Sequence, residues 1–204
     1  MNQKNTTKKK RERRDRSEEI LATAARLFSE HGFQGTTFSL IAEAVQLTEP
    51  GVLYYFPSKT HLLQGVLEYH ERKMAEGYLF ILQAEKKSVP ELFGLLENLV
   101  AENEKIPGLI QLFTVLVSES LRTDHPAHDH FVERYRRVRE GYVQQFFGEI
   151  KDTTRPDVDL NELTTIILAV MDGLQIQWLL DPEKVNMTSA YRLFSRIVVD
   201  FLLQ

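Results

Sequence analysis

The run from Thr36 to Lys59 constrains the chain most: it reads as a helix of about two turns, a tight break, a second short helix and a Pro-Ser stop. Leu40, Ile41, Ala44 and Val45 share one face at helical periodicity, and the Thr37 hydroxyl stands where it can cap the free amides ahead of them. Thr48 is a second cap, and Pro50 falls in the first turn of the next helix, where a missing N–H costs nothing. Two short helices about three residues apart form a helix-turn-helix, whose second helix can enter a DNA major groove. Such a pair buries too little surface to stand alone. The segment from Ser17 to His31 supplies the partner, with Ile20, Leu21, Ala24, Leu27 and Phe28 in one stripe and Gly32 as its stop. Phe33 and Phe38 are expected to plug the small core.

The run Gly51-Val52-Leu53-Tyr54-Tyr55-Phe56-Pro57-Ser58-Lys59 follows Gly35-Thr36-Thr37 and Ile41-Ala42-Glu43-Ala44. Together these words resemble the DNA-binding segment of the tetracycline-repressor (TetR) family of bacterial regulators. The specific match covers residues 16 to 68; the remainder agrees in length and helical pattern. Three positions depart from the family's pattern. Gln46 stands in the turn where glycine is common, Leu40 where an acidic residue is frequent, and Thr60-His61 follow the Ser-Lys pair in place of acids. If the turn needs a positive φ, Gln46 carries a conformational cost. The resemblance implies an all-α fold. An N-terminal three-helix DNA-binding domain is joined by a long helix to a C-terminal helical ligand-binding and dimerisation domain. The expected divisions are a basic flexible arm at 1–15, the helix-turn-helix domain at 16–58 and the ligand-binding domain at 59–204.

Charge agrees with a front that meets a polyanion. The net charge is −4, yet residues 1–60 hold ten Lys/Arg against seven Asp/Glu, so the excess of acid lies behind them. Residues 1–16 are polar and rich in Lys and Arg, which predicts a mobile arm drawn to phosphate; the alternative is a solvated tail. No unbroken apolar run approaches 18 residues, so no membrane span is expected and the chain reads as cytoplasmic. With no Cys, disulfides and thiolate metal sites are excluded.

The DNA-contact candidates are Thr37, Gln46, Thr48, Glu49, Pro50, Gly51, Tyr54, Tyr55 and Lys59. Tyrosine hydroxyls, an ammonium and helix N-termini fix register on a duplex through its phosphates, and Gly51 admits close backbone approach. For Tyr54, Tyr55 and Lys59 the backbone-contact role is what the resemblance implies. No Arg, Asn or Gln lies between positions 47 and 56, so base reading leans on apolar contacts, tyrosine hydroxyls and DNA shape, with Gln46 the one nearby amide.

Behind this front, Ser58 caps a long helix running to about Glu85. Helices from Pro90 to Glu104, Leu109 to Leu121 and His128 to Glu149 follow, the second apolar enough to be central. His125, His128 and His130 with Asp124 and Asp129 offer cation-binding groups, but acids in a first turn are ordinary dipole partners, and neither metal nor cofactor is expected. Leu160–Leu180 and Met187–Leu203 are each apolar on two sides. One face serves the core, and the second calls for a homodimer through a four-helix bundle, which the resemblance also implies.

Phe113, Tyr142, Met171, Gln175 and Trp178 are candidates to line a pocket for a small-molecule effector of apolar character. No phosphate loop, nucleophile elbow or isolated carboxylate pair is present, which leaves no basis for catalysis. The expected function is a dimeric, ligand-responsive regulator of double-stranded DNA, acting as a repressor released from a near-palindromic operator. The alternative is a helical ligand carrier or protein adaptor that never meets DNA.

Overall fold

The computed structural model describes residues 2–82, 88–148 and 155–204, and every regular element among them is helical. The chain divides into two compact units, Met1–Met74 with Val115–His128, and Ala75–Thr114 with Asp129–Gln204.

The first unit opens with α1 (Asn2–Gly35). The basic segment expected as a flexible arm is therefore helical backbone. Lys, Arg and Glu are good helix formers, and with neither Gly nor Pro before Gly32 the packed part of α1 propagates towards the N-terminus. Ile20, Ala24 and Phe28 are fully buried, as the stripe predicts. At Gly32 the backbone turns to φ 70°, ψ 174°, a region reserved for glycine. Phe33 is buried beyond the break, whereas Phe38 stays partly exposed because it opens the next helix at the rim of the core.

The next helix, α2 (Phe38–Ala44), is capped by Thr37, whose hydroxyl accepts the Leu40 amide hydrogen at 3.2 Å. It ends in a Schellman turn: Leu47 donates its amide hydrogen to Ala42 O at 2.9 Å and Gln46 donates to Glu43 O at 3.2 Å. Gln46 occupies the left-handed position of that turn at φ 53°. A second cap opens α3 (Glu49–Tyr55), where Thr48 accepts the Gly51 amide hydrogen at 3.2 Å.

The long helix α4 (Lys59–Leu82) is capped by the Ser58 hydroxyl, which accepts the His61 amide hydrogen at 3.3 Å. It presses Gly65 into a notch where a Cβ would stand 2.8 Å from a Leu21 methyl and 3.0 Å from the Phe56 ring. Its expected end near Glu85 lies outside the described residues.

The first unit does not stop at residue 58. It takes in α4 as far as Met74, and it reclaims 115–128 because Glu119 and His125 pack on Phe33. Local patterning carries no trace of a pairing 86 residues apart.

In the second unit α5 (Val89–Asn103) starts from a capping box. Ser88 accepts from the Glu91 amide, and the Glu91 carboxylate accepts the Ser88 amide hydrogen at 2.8 Å. Its inner face, including Leu92, Phe93 and Leu96, packs chiefly on α9 (Met187–Leu203). The Glu104 carboxylate then accepts both the amide hydrogen (3.2 Å) and the hydroxyl hydrogen (2.7 Å) of Thr188, fixing the first turn of α9. Ile110 and Leu112 of α6 (Pro107–Glu119), whose last turn from Val115 belongs to the first unit, are buried, as expected of a central helix. The next helix, α7 (His128–Gly141), passes at Tyr142–Phe147 into a π-helical segment (π1) that packs against α8 (Leu160–Leu180).

Among the described residues one helix, α8, is long and apolar enough to cross a membrane. The expectation that nothing in the chain reaches that range was too strict, because it sought an unbroken run while α8 interleaves polar with apolar positions. One side of α8 packs into the unit, where Asp172 accepts the Tyr135 hydroxyl hydrogen at 2.6 Å and Gln175 is buried, while Ile166, Ile176 and Leu180 stay exposed on the other.

Candidate nucleic-acid interface

The turn between α2 and α3 sorts its side chains by hydrophobicity. Val52 is fully buried beneath α3, together with Ile41 and Val45 beneath α2. That burial leaves Thr37, Gln46, Thr48, Glu49 and Pro50 exposed on the outer surface, with Gly51 half-buried among them. Tyr54 is 65% exposed, and its ring meets that of Tyr55 edge-on at 5.3 Å, so the two phenols hold each other in place. Thr37 and Thr48 have a structural duty that the outer face shares, since each hydroxyl already accepts the amide that starts a helix. The structure thus groups Thr37 and Gln46 to Tyr55 on one helix pair.

Lys59 is placed differently from an extended phosphate-seeking lysine. Its ammonium donates to Gln34 O at 3.2 Å and lies 4.7 Å from the centre of the Phe33 ring. Desolvation holds its pKa below the ordinary lysine value, and the Glu119 carboxylate partly offsets that shift. An ammonium has three donors, so one hydrogen bond to Gln34 leaves two.

The histidine cluster disperses into separate local contacts. His125 accepts the Ala127 amide hydrogen at Nδ1 and sets its ring edge-on to Phe33 at 5.2 Å. His128 Nδ1 pairs with Ser120 O at 2.9 Å, and His130 meets Phe131 edge-on. Among the described residues no three His, Cys, Asp or Glu side chains gather to hold a metal ion.

The five effector candidates all fall in the second unit. Phe113, Met171, Gln175 and Trp178 are buried, and Tyr142 opens π1 half-buried. Phe113 is held between Phe131, edge-on at 5.7 Å, and the Arg134 guanidinium 4.4 Å from its ring centre. Gln175 Oε1 is sheltered without a hydrogen-bond partner, and so are Tyr191 OH and Ser195 Oγ on the inner stripe of α9. Burial pushes the Tyr191 pKa up, and the Glu97 carboxylate adds to that shift. Tyr191 and Ser195 escape a reading by periodicity, which assigns an inward Tyr or Ser to the core and says nothing of hydrogen bonds left unmade. Asp172 has its pKa raised by burial, with the Tyr135 hydroxyl bond opposing the shift.

A capped helix-turn-helix packed on a supporting helix, in a chain whose second unit is helical among the described residues, is the architecture of a DNA-binding regulator. A family model described as bacterial regulatory proteins, tetR family, matches residues 20–66, and one described as BetI-type transcriptional repressor, C-terminal, matches residues 91–203. The chain belongs to the TetR family of transcriptional regulators; it binds DNA and is not an enzyme.

Among its relatives, the nucleoid occlusion factor SlmA of Yersinia enterocolitica is 33% identical over 173 residues, covering 81% of this chain and 84% of that protein. The HTH-type transcriptional repressor AcnR of Corynebacterium diphtheriae is 25% identical over 163 residues, or 78% of each chain. A TetR regulator from Chloroflexus aurantiacus superposes with a TM-score of 0.81 at 22% identity, covering 94% of this chain and 98% of that one. A transcriptional regulator from Saccharomonospora viridis, solved in complex with choline, superposes with a TM-score of 0.72 at 20% identity, covering 90% and 95%.

Proposed function

We propose that the chain acts in the cytoplasm as a homodimeric repressor, seated on a near-palindromic operator and released from it by a small, largely apolar effector. The observation that carries the DNA-facing part is the exposed Tyr54 on a recognition helix whose other side is closed by Val52. In this reading Gln46, Thr48, Glu49, Pro50 and Gly51 meet the groove, while Thr37, Tyr54, Tyr55 and Lys59 meet phosphates.

The dimer forms through Leu160–Leu180 and Met187–Leu203, whose outer faces leave Ile166, Ile176, Leu180, Leu193, Ile197 and Phe201 exposed. Two recognition helices then stand about 34 Å apart, one duplex turn. The effector binds among Phe113, Tyr142, Met171, Gln175 and Trp178, and the unpartnered Gln175 Oε1 supports a ligand with a hydrogen-bond donor. Choline in the Saccharomonospora viridis relative supports a small effector with a polar group. Since α4 continues from the DNA-binding unit into the second, an effector that tilts it changes the half-site spacing; such couplings amount to about 1 to 3 kcal/mol.

Selection of bound duplexes from a random pool, followed by titration with Tyr54→Ala, tests this reading. Enrichment of a near-palindrome that the variant binds more weakly supports it. Folded dimer that enriches nothing and shows no salt-dependent DNA binding sinks it.

A further inference from the structure

One interaction in the first unit bears on DNA binding although it lies on neither α2 nor α3. The Phe33 amide, just past the glycine-only break at Gly32, donates to the Glu119 Oε2 atom at 2.8 Å. A helix break frees an amide that would otherwise be unpaired in a part-buried place, and Glu119 satisfies it. The same carboxylate fills the space beside Gly32, where a Cβ would collide with it. It therefore fixes both the course of the 32–35 segment and the Phe33 ring.

That segment is what holds Lys59: Gln34 O accepts a hydrogen bond from its ammonium, which the Phe33 ring faces. A free lysine gives up rotamer entropy when it binds, and a lysine already fixed gives up less. The His125 ring also packs edge-on with Phe33, at 5.2 Å between ring centres.

We infer that Glu119 is a positioning residue for DNA binding: by accepting the Phe33 amide hydrogen it holds the Phe33–Gln34 cradle that presents the Lys59 ammonium to a DNA phosphate. The inference rests on the reading of Lys59 as a phosphate contact. It makes an unusual prediction. Removing an acid from a DNA-binding protein relieves repulsion with phosphate and, on charge alone, tightens binding. Here removal is to weaken it.

The test is the affinity of full-length protein for its selected operator across a salt series, comparing wild type with Glu119→Ala, Glu119→Gln, Lys59→Ala and the Glu119→Ala/Lys59→Ala double variant. Glu119→Ala is expected to weaken binding about tenfold and to flatten the salt slope by about one ion per protomer, as Lys59→Ala does. The double variant is to add little to either single one. Glu119→Gln keeps an oxygen acceptor for Phe33 and is expected to retain affinity. Should Glu119→Ala prove unfolded, Glu119→Asp replaces it, since the shorter arm keeps the charge but withdraws from the Phe33 amide; it is expected to bind as weakly. Folded Glu119→Ala that binds as tightly as wild type or tighter, while Lys59→Ala is weakened, overturns the positioning role alone. Lys59→Ala with wild-type affinity and salt slope removes the phosphate contact itself, and the inference with it.

Discussion

Leu47 donates its amide hydrogen to Ala42 O at 2.9 Å, and the ring so closed obliges Gln46, between α2 and α3, to sit at φ 53°. A side chain there is strained by about 1 kcal/mol relative to glycine. Gln46→Gly is expected to stabilise the protein by about that amount, measured as a rise in the urea midpoint at unchanged m. If Gln46 also reaches DNA, the same variant loses operator affinity while gaining stability. The two effects separate cleanly because one needs no DNA.

Gly32 presents the opposite case. Its φ of 70° with ψ 174° suits no other residue, and a Cβ would enter the space of the Glu119 carboxylate. Gly32→Ala is expected to destabilise by about 2 kcal/mol or more in urea unfolding. A loss under about 0.5 kcal/mol, the range of ordinary surface changes, contradicts this account of the break.

His125 is buried against Phe33, and desolvation holds its pKa below the ordinary 6.5, outweighing the pull of Glu119 and Asp124 towards the charged form. The folded state therefore resists protonation that the unfolded chain accepts. Stability from this group is complete above about pH 6.5 and declines as the pH falls below that value. His125→Asn keeps an acceptor for the Ala127 amide and removes the titration. Its melting temperature is expected to fall less steeply than that of wild type between pH 6.5 and pH 5.

The Tyr135 hydroxyl donates to Asp172 at 2.6 Å in a part-buried place in the second unit. Tyr135→Phe removes the donor and leaves a half-buried carboxylate short of a partner, which is expected to cost about 1 to 2 kcal/mol in urea unfolding. Addition of Asp172→Leu should recover part of that loss, because no half-buried charge is then left unpaired.

Ile197 is 60% exposed on the outer face of α9. In the proposed dimer it is covered by the second chain, and Ile197→Lys places a charge in that seam. Sedimentation at micromolar concentration is expected to give monomer for the variant and dimer for wild type, with the circular dichroism of the two alike. A dimeric variant would move the interface elsewhere.

Periodicity and cap chemistry in the sequence placed α2, α3, α8 and α9, because Thr37, Thr48 and the alternation of apolar faces act within a few residues of chain. The two-faced character of α8 and α9 was legible for the same reason: the buried Ile167, Met171 and Trp178 stand opposite the exposed Ile166 and Ile176. Even the strain at Gln46 could be anticipated from the one position where a turn wants glycine. The helical backbone of α1 ahead of the apolar stripe was not legible from hydrophobicity, because Lys, Arg and Glu propagate a helix without any apolar face.

The pairings were decided only by the tertiary structure. Phe33 meets Glu119 across 86 residues and Tyr135 meets Asp172 across 37, so the boundary of the first unit and the setting of Lys59 follow from chain paths. A helical period records what one segment prefers. Which carboxylate receives a freed amide depends on where another helix happens to end.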